Sequence, residues 1–298
     1  MSGTFLITGA LGQLGRALAK ECEARGIPAS SSDLDTLDVT DRAAVEAEIT
    51  RVGPSWVLHC AAATMVDRCE SETGWAEELN AVAPGIVARA ARRAGACMVH
   101  FSTDFVFDGK KGSPYLEDDP IHPLSVYGAT KARGDARVLD AGLEAFLLLR
   151  TQWVYGPGGR NFPAAILAKA RAGEELRVVD DQVGAPSFSR HIAAATLDLI
   201  EAQREGRAEP GIYNVANRGI LSWFGFARMI LSEAGLDGVP LRPVPSQALD
   251  QPAARPVYSA LELQKIESAL GRSMPRVEEG LRAWLAAETS DEERSGRE

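Results

Sequence analysis

Residues 4–15 read Thr-Phe-Leu-Ile-Thr-Gly-Ala-Leu-Gly-Gln-Leu-Gly. The short apolar run Phe5-Leu6-Ile7 predicts a buried strand. Gly9, Gly12 and Gly15 follow in a G-x-x-G-x-x-G array, and Leu11 to Arg25 carries apolar residues at helical spacing until Gly26 ends it. A strand that runs through a glycine-rich turn into a helix opens a parallel α/β sheet. Glycine permits the tight turn and lets a pyrophosphate approach the backbone, and the helix offers it free N–H groups and the positive end of its dipole. A plain strand–helix turn also tolerates glycine, but this spacing in this context favours a dinucleotide.

The same rhythm continues outward. Ile27 to Ser32 is a weak strand, Asp41 to Arg51 a helix capped by Thr40 or Asp41, and Trp56 to Cys60 a strand. Trp75 to Ala94 predicts a long helix interrupted near Pro84. Cys97 to Phe101 is a strand, Val126 to Leu139 a helix and Ala145 to Leu149 a strand. Alternation of this kind predicts a parallel sheet with helices on both faces. After Arg150 it weakens: Asn161 to Gly173 and Arg190 to Ala202 read as helices, Leu176 to Val179 and Ile212 to Val215 as strands, and Val239 to Pro256 is proline-rich. We expect residues 1–151 to form the dinucleotide-binding domain, with the chain returning to it around 186–216. Residues 152–185 and 217–287 form a smaller C-terminal substrate-binding lobe in this reading, and 288–298 a disordered tail.

The 298 residues suffice for a large core, and a hydrophobic content of 45% with 24% charged residues is that of a soluble globular protein. A net charge of −9 argues against a nucleic-acid partner. Cys22, Cys60, Cys69 and Cys97 lack metal-ligand spacing, which argues against a metal or a disulfide framework. No apolar run reaches the ~20 residues that span a bilayer, and no charged leader precedes the first strand, so the cytoplasm is the expected location.

The chemistry is carried by Tyr127 and Lys131 in Y-G-A-T-K and by Thr103 in H-F-S-T-D-F-V-F-D-G. Hydride transfer to a ketone builds negative charge on oxygen, and a proton must arrive as it develops. A phenol with an ordinary pKa of about 10 is a weak acid–base group near neutrality. An ammonium four residues on would share its helix face and lower that value. Thr103, at a strand end, can donate a hydrogen bond to the substrate oxygen. An isolated Tyr-x-x-x-Lys is usually an exposed helical pair; downstream of the glycine array, with Thr103, it indicates a carbonyl reductase. Asp33 and Asp38 both follow the second strand as candidates for the ribose 2′-OH, and the absence of arginine from 28–40 leans toward NAD over NADP. Cys60-Ala61-Ala62-Ala63 would let a cofactor ribose lie close to the backbone.

These segments, with L-D-V-T (37–40), A-A-A-T-M-V-D-R-C-E-S-E (61–72), N-A-V-A-P (80–84), L-R-T-Q-W-V-Y-G-P-G-G-R-N-F (149–162), D-D-Q-V-G-A-P (180–186) and A-R-P (254–256), resemble the extended short-chain dehydrogenase/reductase superfamily and, within it, the dTDP-4-dehydrorhamnose reductase family. The resemblance implies an α/β Rossmann-type doubly wound sheet and NADPH- or NADH-dependent reduction of the C4 keto group of dTDP-4-dehydro-L-rhamnose. It implies Thr103, Tyr127 and Lys131 as catalytic residues. Gly9, Gly12, Gln13, Leu14, Asp38, Val39, Ala61, Ala62, Ala63 and Lys131 would touch the cofactor. Val66, Asp67, Asp104, Phe105, Tyr127 and Trp153 would line the sugar pocket. Phe105 stands where the family commonly has tyrosine, which removes one sugar contact. Arg16 and Arg190 stand where some members have metal-binding glutamates, so the expectation is a monomer or a homodimer without bridging metal. Two alternatives remain at this point: a reductase of another dTDP-4-keto-deoxysugar, and a non-catalytic NADP-binding regulatory subunit like the methionine adenosyltransferase β subunit.

Overall fold

The computed structural model describes residues 3–295. In chain order the strands are β1 Phe5–Thr8, β2 Ala29–Ser32, β3 Trp56–His59, β4 Cys97–Thr103, β5 Phe146–Thr151, β6 Val154–Tyr155, β7 Leu176–Val179, β8 Val183–Gly184, β9 Ser187–Phe188, β10 Gly211–Asn214, β11 Leu221–Ser222 and β12 Leu241–Val244. The helices are α1 Gln13–Ala24, α2 Arg42–Val52, α3 Val66–Ser71, α4 Thr73–Glu77, α5 Ala83–Arg93, α6 Val126–Leu139, α7 Phe162–Arg171, α8 Ser189–Arg204, α9 Trp223–Glu233, α10 Gln264–Leu270 and α11 Val277–Ser295.

Six strands form one parallel sheet in the order β10-β5-β4-β3-β1-β2. Side chains alternate between its faces because the strand period is two. Phe5, Ile7, Val99, Phe101, Leu147 and Leu149 pack with α1, α8 and α10. Leu6, Val57 and Met98 face the other way and pack with α2, α5 and α6. Both faces are therefore apolar and covered, as the alternating pattern predicts. A further apolar cluster joins Ile166 and Leu167 of α7, Val178 of β7, Phe226 and Ile230 of α9, and Leu281 and Trp284 of α11 around Tyr155 and Phe188.

The strand order reverses beside β1, with β2 on one side and β3 on the other. Ligands of open α/β sheets bind outside the strand carboxyl ends at such a point. Here Gly9, with φ +67°, lies so close to the backbone of Ala61 that a Cβ would stand 2.6 Å from its nitrogen.

Two sequence expectations need correction. The helix expected over residues 75–94 begins as α4 and passes through a π-helical turn at Glu78–Val82 before α5. Pro84 cannot donate the helical hydrogen bond to residue 80, and the wider turn absorbs that loss. It also frees the Asn80 side chain to bond both backbone groups of Ala63 and the Thr130 hydroxyl. The segment read as a disordered tail is helical through Ser295, as the end of α11; residues 296–298 lie outside the described residues. Among the described residues, no helix is long and apolar enough to cross a membrane.

The π turn and α6 touch through Gly134, where a Cβ would come within 2.1 Å of the Asn80 carbonyl oxygen. Backbone cannot yield there as a flexible side chain would. Gly134→Ala is expected to destabilise the protein by about 1–3 kcal/mol in urea unfolding, the usual range for overpacking. An unchanged midpoint would contradict this packing.

Candidate active site

A cleft of about 620 Å³ opens along the carboxyl ends of β1, β3, β4 and β5. The turn 9–12 and α1 form one end. Gly15 is required by the turn itself, because a Cβ would stand 2.3 Å from the Gly9 oxygen and 2.7 Å from the Ala10 Cα. Gly12 differs: its Cβ would meet only the Gly9 oxygen, at 3.3 Å. Gly12 is also the N-cap of α1, with no side-chain hydrogen bond across the helix end. A bare helix N-terminus in a cleft, beside the small Ala61 and Ala62, fits a dinucleotide pyrophosphate. Exposed Leu11 and Leu34 flank the Asp33 carboxylate, which accepts from their two amides at 2.7 and 2.8 Å. Gln13 reaches across to the far wall, accepting from the Gly156 amide at 2.6 Å and donating to the Arg160 carbonyl at 3.2 Å.

The chemical end lies where α6 meets the end of β4. Ser125 caps α6 by accepting from the Gly128 amide, and Glu70 accepts from the Val126 amide at 2.8 Å. Gly128 lets the helix close on the turn after β4, since a Cβ would lie 2.2 Å from the Phe105 oxygen. That approach brings Tyr127 edge-on to the Phe105 ring, with centroids 5.5 Å apart, and within hydrogen-bonding reach of Thr103. Lys131, 2% exposed, donates to the Phe101 carbonyl at 2.6 Å.

The titration behaviour follows from burial. Lys131 is pushed down to about 8 by desolvation, opposed by Asp135 and Cys60. Tyr127 is pushed up, first by desolvation and then by Asp104, Cys69 and Asp135, while the Thr103 hydrogen bond opposes the rise. This corrects the expectation of a lowered phenol: burial outweighs the Thr103 hydrogen bond, and Tyr127 stays protonated near neutrality. Asp104 is raised to about 7 by desolvation, with hydrogen bonds from Ser259 and Thr103 holding it back.

Most residues named from sequence meet in this cleft: Gly9, Gly12, Gln13, Leu14, Val39, Ala61, Ala62, Val66, Thr103, Asp104, Phe105, Tyr127, Lys131 and Trp153 line it. Asp38, Asp67 and Ala63 do not. Asp38 bonds the hydroxyl and amide of Thr40, at 2.7 and 2.9 Å, and Asp33 lines the cleft instead. Asp67 accepts from Arg255 at 2.8 Å and from the Ala253 amide at 3.1 Å. Ala63 is fully buried behind the wall, tied to Asn80. Sequence reading missed Gln152, Trp223 and Arg255 as cleft residues. Arg255 was signalled by A-R-P without a role. Trp223 stacks on Trp153 at 3.6 Å between centroids, a contact between distant segments that no local motif announces. A smaller cavity of about 370 Å³ shares Trp223 and Arg255 with the cleft and also exposes Lys169 and Arg177.

Fold and cleft together define a dinucleotide-dependent oxidoreductase of the short-chain type. The family model described as RmlD substrate binding domain matches residues 3–290, so the chain belongs to that family. It is 39% identical to a dTDP-4-dehydrorhamnose reductase of Streptomyces griseus over 285 residues, covering 96% of this chain and 91% of the relative. Identity to the Mycobacterium tuberculosis protein of the same name is 40% over 291 residues, with the same coverage. The crystal structure of the Bacillus anthracis dTDP-4-dehydrorhamnose reductase in complex with NADP superposes with a TM-score of 0.90 at 34% identity, covering 96% of this chain and 100% of that one.

Two outcomes follow. Gly12→Ala should hold folding stability within about 1 kcal/mol, because only one backbone atom is pressed, yet weaken NADPH about tenfold or more in fluorescence titration. Unchanged affinity would dissociate Gly12 from the cofactor. Asp104 keeps a proton in the folded state that the unfolded chain releases above about pH 4. Its contribution to stability therefore falls as pH rises from about 4 to 7. Thermal unfolding of Asp104→Asn across this range should show a shallower decline than the parent; parallel curves would mean that folding does not raise Asp104.

Proposed function

We propose that the protein reduces the C4 keto group of dTDP-4-dehydro-L-rhamnose to dTDP-L-rhamnose with NADPH or NADH. The observation that carries this is the convergence of Thr103, Tyr127 and Lys131 in one cleft with the glycine turn, in a chain of the RmlD family. The cofactor supplies hydride to C4 when bound. The glycine turn, the α1 N-terminus, Gln13, Leu14, Val39, Ala61, Ala62 and Lys131 would hold it, with Asp33 rather than Asp38 placed for a ribose hydroxyl.

Tyr127 donates the proton that the developing alkoxide takes up. A phenol kept neutral by burial is loaded for that transfer, and the product alkoxide is basic enough to accept from it. Thr103 orients the carbonyl oxygen toward the phenol. Lys131 adds positive charge that favours phenolate after transfer and offers donors to ribose hydroxyls. Val66, Asp104, Phe105 and Trp153 bound the sugar. Phe105 and the indole offer apolar surface to a deoxysugar, and Asp104 offers a carboxyl near half-protonation at neutral pH. Asp67 acts through Arg255, the cation at the junction of the two cavities, where the substrate diphosphate would lie.

In this proposal residues 1–151, with the return at 186–216, bind cofactor. Residues 152–185 and 217–287, supported by their own apolar cluster, bind the sugar nucleotide. The protein works as a monomer or as a homodimer without bridging metal.

Tyr127→Phe is expected to lower turnover of NADPH with dTDP-4-dehydro-L-rhamnose by at least a thousandfold and leave NADPH affinity within about threefold, since only the proton donor is lost. Retention of most of the activity would remove Tyr127 from the chemistry. Turnover of other dTDP-4-ketosugars in preference to this one would redirect the substrate assignment.

A further inference from the structure

The face of the sheet that packs on α6 turns polar toward the strand carboxyl ends. Thr8 of β1, His59 of β3 and His100 of β4 are register neighbours across the strands. All are buried, as is Ser102, two residues beyond His100 on the same face. The Thr8 hydroxyl and His59 Nδ1 are 2.8 Å apart, and the imidazoles of His59 and His100 stack with centroids 5.8 Å apart. Asp135 comes down on this row from α6: Ser102 donates to its Oδ2 at 2.5 Å, and His100 Nε2 stands 3.2 Å from its Oδ1. That last contact lacks hydrogen-bond geometry, and among the described residues His59 Nε2 and His100 Nδ1 have no hydrogen-bond partner either.

A buried polar row is expensive, and an apolar replacement of similar volume is often neutral or stabilising. Packing alone does not account for its presence. Its position suggests what it serves, because Asp135 lies one helical turn beyond Lys131 on the same face of α6. We propose that Asp135 is a positioning residue that keeps Lys131 in its ammonium form and directed at the cleft, with the Ser102 hydrogen bond fixing the carboxylate from the sheet beside His100.

This rests on the reading of Lys131 as part of the reductase site. The groups facing Lys131 are Asp135 on its own helix, Cys60 at the end of β3, and His59 and His100 of the sheet; Arg150 of β5 faces Asp135. Both imidazoles are held neutral, chiefly by desolvation, with His100 near 4. Asp135 remains a carboxylate despite desolvation because His100, Lys131 and Ser102 favour its charged form. The ammonium thus has the Asp135 carboxylate as a buried anion to balance it, and with Lys131 near 8 its charge is lost just above neutrality. Removal of the anion would move that loss below neutrality.

The test is the pH profile, from 6 to 9.5, of both kcat/KM and the NADPH dissociation constant for full-length Asp135→Asn. The expected result is an alkaline limb moved about one pH unit lower in both, with Asp135→Glu restoring it toward the parent. If Asp135→Asn does not fold, Ser102→Ala, which removes only the 2.5 Å bond, should move the limb in the same direction by less. A limb that stays in place in the folded variants overturns the proposal, even if activity falls uniformly, because a structural role would lower activity without moving it. Lys131→Met separates the two levels: if it changes neither readout, the reading of the site fails; if it changes both while the Asp135 and Ser102 variants leave the limb unmoved, only the role of Asp135 fails.

Discussion

Backbone against backbone is the contact on which this site depends. At Gly9 the turn after β1 rests on Ala61, at Gly15 α1 rests on the turn, at Gly128 α6 rests on the Phe105 carbonyl, and at Gly134 it rests on the Asn80 carbonyl. A methyl group at any of these would have to displace main chain. The first two approaches set the bare end of α1 at the point where the strand order reverses. The last two set the height of α6 above β4, and with it the distance between Tyr127 and Thr103. The glycines in T-G-A-L-G-Q-L-G and Y-G-A-T-K therefore do different work. Gly9, Gly15 and Gly128 make room for the protein itself, and Gly12 leaves room for something else.

The parts legible in the sequence were those written in local periods. Alternating strands and amphipathic helices gave the doubly wound sheet, and α6 and β7 begin and end where the apolar pattern places them. The π turn before Pro84 was not legible, since its cause is a missing donor and its benefit is the reach of Asn80 to Ala63 and Thr130. Asp38 and Asp67 show the same limit at the site. Each carboxylate has a nearer partner, Thr40 in the turn or Arg255 nearly 190 residues on, and one such partner is visible only in space. The direction of the Tyr127 shift was misjudged for a related reason: spacing gives the neighbour, whereas burial depends on everything packed around it.

Two segments that look unrelated in the sequence form one device around Trp153. This tryptophan is the one non-glycine residue among those described with positive φ, at 47°. Such a conformation costs on the order of 1–2 kcal/mol, and surrounding structure must impose it. D-D-Q-V-G-A-P does so. The indole lies on Gly184, where a Cβ would come within 2.8 Å of it; Gln152 accepts from the Ala185 amide at 3.0 Å, and the Trp153 carbonyl accepts from Ser187. Trp223 closes the other side. The strain thus turns one large flat side chain into the cleft, where it would offer apolar surface to the proposed deoxysugar.

Helix α6 then acts as a ruler. Tyr127, Lys131 and Asp135 recur every four residues, about 6 Å apart along the axis, so a phenol, an amine and a carboxyl group follow one another along one face of the helix, away from the cleft. Order matters because the environments differ. Tyr127 meets Thr103 and Phe105 at the open end, whereas Asp135 meets Ser102, His100 and Arg150. In the proposed reaction, exchanging the last two charges would place an anion beside the nascent alkoxide, which is unfavourable. The spacing that first marks the chain as a reductase is thus half of a longer pattern. Its second half lies in the sheet, outside any motif, and sets the charge with which the first half works.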